Sequence, residues 1–329
     1  MSRRSRERGW PPEPGALPAE LVDGHTHLDA VLAATDRDGW RPSGGRSPDG
    51  APPGDGRSAA EPPTTAPTVA DHLARAAGVG VTRMVQIGCD LPGIAWTDRA
   101  VREHPQLLGG LAIHPNEAVL HAGVREVAPD GLEPAAREHH GLPLDDAVAR
   151  VADVARANPR IRVIGETGLD FFRAGDRGRA VQREAFRAHI ALAKELDLVL
   201  QIHDRDAHAE VIETLLADGA PARTVFHCYS GDAAMARVCA EQGWYLSFAG
   251  PVTYPSAAAL RAALRATPLD HVLLETDAPY LPPHPVRGRP NAPYVLALTA
   301  RTVAAELGLD LADLCRRVSA TCEELYGPW

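Results

Sequence analysis

Two imidazoles stand two residues apart, His25 and His27, directly after the short apolar run Leu21-Val22-Asp23-Gly24. On a strand, residues i and i+2 share a face and lie roughly 6.6 to 6.8 Å apart along it, so both rings can converge on one ion. Neutral imidazole nitrogen suits zinc and other borderline divalent metals, with bonds of about 2.0 to 2.1 Å to zinc. Two ligands make half a site, and candidates for the rest recur at the ends of later apolar runs. They are Glu166 in Val-Ile-Gly-Glu, His203 in Leu-Gln-Ile-His, His227 in Val-Phe-His, and Asp277 in Leu-Leu-Glu-Thr-Asp.

Any one of these alone is weak evidence, because a His at a strand end is more often a hydrogen-bonded structural residue. The chain holds 14 histidines, and His72, His104, His121, His139, His140 and His189 fall in helical or loop stretches where the structural reading is expected. Six metal-binding types at six strand ends are harder to assign to chance. Four histidines and two carboxylates suit one or two divalent ions, of Mg2+, Mn2+ or Zn2+ type. A carboxylate can bridge two ions about 3.5 to 4 Å apart, and a water between them becomes a hydroxide at neutral pH. Glu166 is the expected bridge. A carboxylated lysine, the bridge in many barrel hydrolases with a His-x-His start, is closed here: the one lysine, Lys194, lies inside a helical pattern.

Positioning six such residues at one face needs a repeated element. Apolar runs suggest strands at Leu21–Val22, Arg83–Ile87, Leu107–Ile113, Arg162–Ile164, Val199–Ile202, Thr224–Phe226, Trp244–Phe248 and Val272–Leu274. Amphipathic stretches suggest helices at Val69–Ala77, Gly93–His104, Leu144–Ala157, Arg179–Leu196, Ala207–Ala217, Ala233–Gln242, Ala257–Ala266, Tyr294–Leu307 and Leu311–Tyr326. This alternation predicts an α/β fold, a single-domain (β/α)8 TIM barrel, whose chemistry gathers at the C-terminal ends of its strands. A doubly wound sheet would more often carry a Gly-rich phosphate loop, and neither G-x-G-x-x-G nor G-x-x-x-x-G-K occurs.

The barrel domain is expected over residues 19–329. Residues 1–18, rich in Arg, Pro and Glu, are expected to be flexible, and 36–67, built from Gly, Pro, Ser, Asp and Arg, to be a disordered, low-complexity insertion after strand 1. The insertion is read as a neutral expansion, with a lid over the site as the alternative. At 329 residues the chain can bury a full core, and its apolar runs are too short to span a membrane as a helix. The basic start, Met1 to Arg8, leads into Gly9, Trp10 and Pro11, which does not fit a signal peptide. Five cysteines without a C-x-x-C argue against a disulfide framework and for a cytoplasmic location. A net charge of −9 gives no global pull towards a polyanion, so nucleic acid would have to be held by local arginines and bound cations. No obligatory protein partner is evident.

Five segments in order, His-Thr-His-Leu-Asp, Gly-Glu-Thr-Gly-Leu-Asp, Gln-Ile-His-Asp-Arg, Phe-His-Cys-Tyr-Ser-Gly and Glu-Thr-Asp-Ala-Pro-Tyr-Leu, resemble the signature of the TatD family. These are metal-dependent deoxyribonucleases of the amidohydrolase superfamily. The resemblance runs from about Leu21 to Tyr326 outside the insertion. It implies divalent-metal dependence and hydrolysis of phosphodiester bonds, typically trimming DNA from a 3′ end. By motif position, it implies one metal held by His25, His27, Glu166 and Asp277 and a second by Glu166, His203 and His227. Asp277 would accept the proton of the attacking water, Arg205 is placed either to clamp a phosphate or to form a surface salt bridge, and Tyr229 and Tyr280 either to stack on a base or ribose or to pack at the barrel rim. Three departures stand out: Asn116 in Ile-His-Pro-Asn-Glu stands where the second His of a His-Pro-His segment is usual, Thr321-Cys322 lies where an Asn is common, and the long insertion after His27 is expected near the active face, where it bears on substrate access. The competing readings are a hydrolase of small-molecule ester, amide or aminoacyl substrates using the same centre, and a barrel scaffold that has lost its chemistry.

Overall fold

The computed structural model describes residues 9–38 and 67–329. Eight parallel strands follow one another around a single sheet in sequence order. They are β1 Leu21–Thr26, β2 Val81–Gly88, β3 Leu107–Leu111, β4 Ile161–Asp170, β5 Val199–Arg205, β6 Thr224–Phe226, β7 Tyr245–Phe248 and β8 Val272–Leu274. Between and after them lie α1 Leu28–Asp38, α2 Val69–Gly78, α3 Leu91–Glu103, α4 Pro115–His121, α5 Leu144–Ala157 and α6 Asp176–Leu196. The remainder are α7 His208–Asp218, α8 Ala233–Glu241, α9 Ala258–Ala266, α10 Leu296–Leu307 and α11 Leu311–Tyr326. The predicted TIM barrel is therefore present. Residues 1–8, and residues 39–66 of the expected insertion, lie outside the described residues.

Burial explains the alternation. Every residue of β1, β3, β6 and β8 is buried, as expected for parallel strands covered on both faces. Helix starts are set by side chains that occupy otherwise orphaned N–H groups: Asp90 accepts from Gly93 N before α3, Asp232 from Met235 N before α8, and Asp310 from Ala312 N before α11. Residues 9–18 lie along the barrel. Leu17 N donates to Val79 O, Tyr294 Oη to Pro11 O at 2.7 Å, and Arg301 to Gly15 O and Ala16 O.

The strands that carry the chemistry differ from the sequence expectation in one respect. β1, β4 and β5 continue past their apolar runs, so His25, Glu166 and His203 sit inside strands rather than after them. Pairing of β4 with β5 runs Ile164↔Leu200 and then Thr167↔Ile202, so β4 carries one extra residue there. β1 does the same against β2 between Asp23↔Met84 and Thr26↔Gln86. An extra residue of this kind locally re-aims side chains, and here the two irregularities fall at Gly24-His25 and Gly165-Glu166.

The β4 irregularity relies on close backbone approach. A Cβ on Gly165 would lie 2.6 Å from Gln201 Cβ, and one on Gly168, at φ +134°, would lie 2.1 Å from His203 O. Only glycine fits that backbone cheaply. Gly168→Ala should therefore cost about 2 kcal/mol or more, read as a lowered thermal midpoint; an unchanged melt would contradict the packing described.

Candidate metal centre

All six residues singled out by type and position meet at the C-terminal mouth of the barrel. His25 Nε2 and His27 Nε2 lie 3.1 Å apart. Asp277 Oδ1 is 3.4 Å from His27 Nε2 and 3.9 Å from His25 Nε2. Glu166 stands between this group and the remaining rings. Its Oε1 is 3.8 Å from His27 Nε2, while its Oε2 contacts His227 Nε2 and lies 3.2 Å from His203 Nδ1. The rings of His25 and His227 stack at 4.0 Å.

The partners behind these rings decide which nitrogen each presents. His25 Nδ1 donates to Gln201 Oε1 at 2.7 Å, and Gln201 is held in that orientation because its Nε2 donates to Gly24 O. His27 Nδ1 faces Ile87 O at 3.2 Å, so it too must carry a proton. His227 Nδ1 faces the fully buried Glu275, whose Oε1 also accepts from Cys228 N at 2.7 Å. With their Nδ1 atoms protonated, neutral His25, His27 and His227 each turn an Nε2 lone pair inward, towards one another and towards the Glu166 carboxylate. Facing lone pairs in a buried site need a cation between them. This donor set fits divalent metal ions, and the partners behind the rings are those that fix metal-binding imidazoles.

The titration behaviour follows from the same crowding. Burial works against protonating His27, but the Asp277 hydrogen bond and the charges of Glu166 and Asp277 override it and raise its pKa to about 9. His203 rises to about 9 in spite of burial through Asp170 and Glu166, and His227 rises well above the usual range through Glu166 and Glu275. His25 goes the other way, driven well below its usual value by burial and by the charge of His227. Burial would raise Glu166, yet the imidazoles of His227 and His114 hold it well below the carboxylate range.

Four further residues belong to the mouth that type and strand position did not mark as ligands. His114 Nε2 is 3.7 Å from Glu166 Oε1, and its Nδ1 accepts from Asn116 N. Cys89 Sγ lies 3.3 Å from Glu166 Oε1, at the end of β2. Asp170 Oδ2 is 3.4 Å from His203 Nε2 and accepts from Asn116 Nδ2 at 3.0 Å. Asn116 thus uses its amide to hold Asp170, a role open to the residue that departs from the expected His. Cys322 is fully buried in α11 and plays no part at the mouth.

The expected substrate contacts separate. Arg205 is exposed, with its guanidinium 4.0 Å over the Phe172 ring and no ion pair among the described residues. Tyr229 is a correction: it is 3 % exposed, packs edge-on to Phe248, and donates its hydroxyl to Asp232 O. The core takes its ring and leaves no face for a base. Tyr280, by contrast, is 56 % exposed with its ring 5.8 Å from that of His27.

The family model of TatD-related DNases matches residues 22–327. The chain belongs to that family. A TatD relative from Mycobacterium tuberculosis, named as an uncharacterized metal-dependent hydrolase, is 35% identical over 313 residues, covering 93% of this chain and 98% of its own. A TatD protein of Citrobacter rodentium, named as a 3′-5′ ssDNA/RNA exonuclease, is 30% identical over 274 residues, covering 80% of this chain and 95% of its own. Among solved structures, the TatD homolog YJJV of Escherichia coli superposes with a TM-score of 0.71 at 21% identity, covering 93% of this chain and 97% of that one, which shows the shared fold. TatD membership makes the protein a metal-dependent hydrolase.

Protons and metal ions compete for the same nitrogens. Because His27, His203 and His227 are raised, they hold protons at pH 7 in the metal-free protein, and an ion must displace them. The apparent affinity for Mn2+ should therefore climb from pH 7 to about 9, the pKa of His27 and His203. Affinity independent of pH over that window, measured by calorimetry, would contradict this arrangement.

Proposed function

We propose that this TatD-family hydrolase is a divalent-metal-dependent nuclease that trims DNA, or a related phosphodiester, from a 3′ end. The observation that carries the reading is the position of Glu166, whose two oxygens face two sets of imidazoles, as a carboxylate shared by two ions would. The name of the Citrobacter relative supports the choice of nucleic acid. His25, His27, Glu166 and Asp277 would hold one ion, and Glu166, His203 and His227 the second. Bound Mg2+, Mn2+ or Zn2+ would polarise a phosphoryl oxygen and lower the pKa of a water in the site.

The chain's own residues would do the rest. Asp277, beside His27, would take the proton from the attacking water, and Glu166 would keep the two halves of the site in register. Asp277 is well placed for this because its backbone is pinned, Asp277 N donating to His25 O and His27 N to Ala278 O. Arg205, its guanidinium over the Phe172 ring, leaves its N–H fork available for a phosphate. Tyr280 offers the exposed ring at the mouth on which a terminal base would stack. The five cysteines are all free, which suits a cytoplasmic location, and no described helix is long and apolar enough to cross a membrane.

The net charge of −9 favours a second reading, in which the same centre hydrolyses a small ester, amide or aminoacyl substrate. The test runs both classes side by side, with single-stranded DNA bearing a free 3′ end and a panel of small esters, amides and aminoacyl compounds. Metal-supplemented wild type should shorten the DNA, and Glu166→Ala and Asp277→Asn should each lower the rate by about 10² to 10⁴. Wild-type rates in both variants would sink the assignment of the centre, and turnover confined to the small substrates would replace the nuclease.

A further inference from the structure

Along α4 from His114, with Glu117 in the first turn and His121 at the far end about 10 Å away, a second group of imidazoles closes on a carboxylate. Glu117 and His121 are four residues apart and share a helix face. His139 and His140 reach them from the short turn Glu138–Gly141. One nitrogen from each of His121, His139 and His140 lies within 4.8 Å of the others. Glu117 Oε2 is 3.2 Å from His139 Nε2 and 2.6 Å from His140 Nε2.

The hydrogen bonds assign a different role to each ring. His121 Nδ1 faces Leu142 O at 2.7 Å and so carries the proton. Its Nε2 is then a bare lone pair, and that atom is buried with no partner, in a residue only 5 % exposed. An unpaired acceptor is costly to bury. His140 is the reverse case: its Nδ1 accepts from Arg137 N at 2.7 Å, so its Nε2 carries the proton and donates to Glu117. His140 therefore cannot offer Nε2 to an ion without losing the Arg137 bond, and it braces the carboxylate instead. No such constraint binds His139, whose side chain is 14 % exposed.

We propose that His121, His139 and Glu117 form a second metal site, of zinc type, separate from the barrel mouth, with His140 holding Glu117 in place. Two imidazoles and one carboxylate leave a fourth position for water, a coordination that zinc accepts readily. The ligands of a tetrahedral zinc lie roughly 3.3 Å apart, from bonds of about 2.0 to 2.1 Å, so the imidazole nitrogens, now within 4.8 Å of one another, and Glu117 would have to draw inward around an ion. A bound ion would give the His121 lone pair its partner and tie the turn at 138–141 to α4, the helix that begins beside His114.

The test uses the full chain, stripped with chelator and titrated with zinc chloride. Wild type should retain one zinc per chain more than either His121→Ala or His139→Gln, since neither change touches the residues at the barrel mouth. Zinc-edge anomalous diffraction from wild-type crystals should place a peak between His121 Nε2, His139 and Glu117. Thermal melts in chelator establish that the variants fold; should the buried His121→Ala fail, His139→Gln and the anomalous map decide. Equal zinc content and affinity in wild type and His139→Gln, or a map without that peak, would overturn the site.

Discussion

Everything at the mouth of this barrel depends on one electrostatic constraint: lone pairs of buried imidazoles pointed at one another and at a carboxylate. His25 and His27 present Nε2 to Nε2 at 3.1 Å, and His227 presents Nε2 to Glu166. Such an arrangement is stable only with positive charge among the atoms, supplied by protons or by metal ions. The raised pKa values of His27, His203 and His227 are the protonic form of that demand.

Much of the surrounding architecture maintains the constraint. Gln201, locked by Gly24 O and Tyr326 Oη, fixes the tautomer of His25 from the barrel interior. Glu275 does the same for His227. Asp23 clasps β1 to the end of β8 by accepting from Thr276 N and Thr276 Oγ1, and burial lifts its own pKa to about 7. The extra residues in β1 and β4 turn His25 and Glu166 towards the centre. The polar groups buried within the barrel thus act as a frame for the candidate ligands as well as part of the core.

The parts of this that the sequence makes legible are those written in apolar periodicity. β6, β8, α5 and α11 were expected at the bounds observed, because each is a run of buried residues or an amphipathic stripe with clear ends. The six convergent residues followed from type and position. The outer halves of β4 and β5 were not legible, because Glu166, Thr167, Asp170 and Asp204 break the apolar pattern while the ladder continues through them. α4 was missed because seven residues opening on Pro-Asn-Glu carry too little periodicity, and α1 because it merges into low-complexity sequence. Gln201 hides inside β5 and Glu275 directly after β8, where a buried polar residue has no outward signal. Tyr229 misled because a ring next to a ligand looks the same in sequence whether it faces solvent or core.

The proposed joining of two ions by Glu166 is tested most directly by electron paramagnetic resonance of the protein loaded with two equivalents of Mn2+. Ions bridged by a carboxylate at about 3.5 to 4 Å should give an exchange-coupled spectrum that collapses to isolated six-line signals in Glu166→Gln. Isolated signals in the wild type at full loading, or a coupled spectrum that survives in Glu166→Gln, would contradict it.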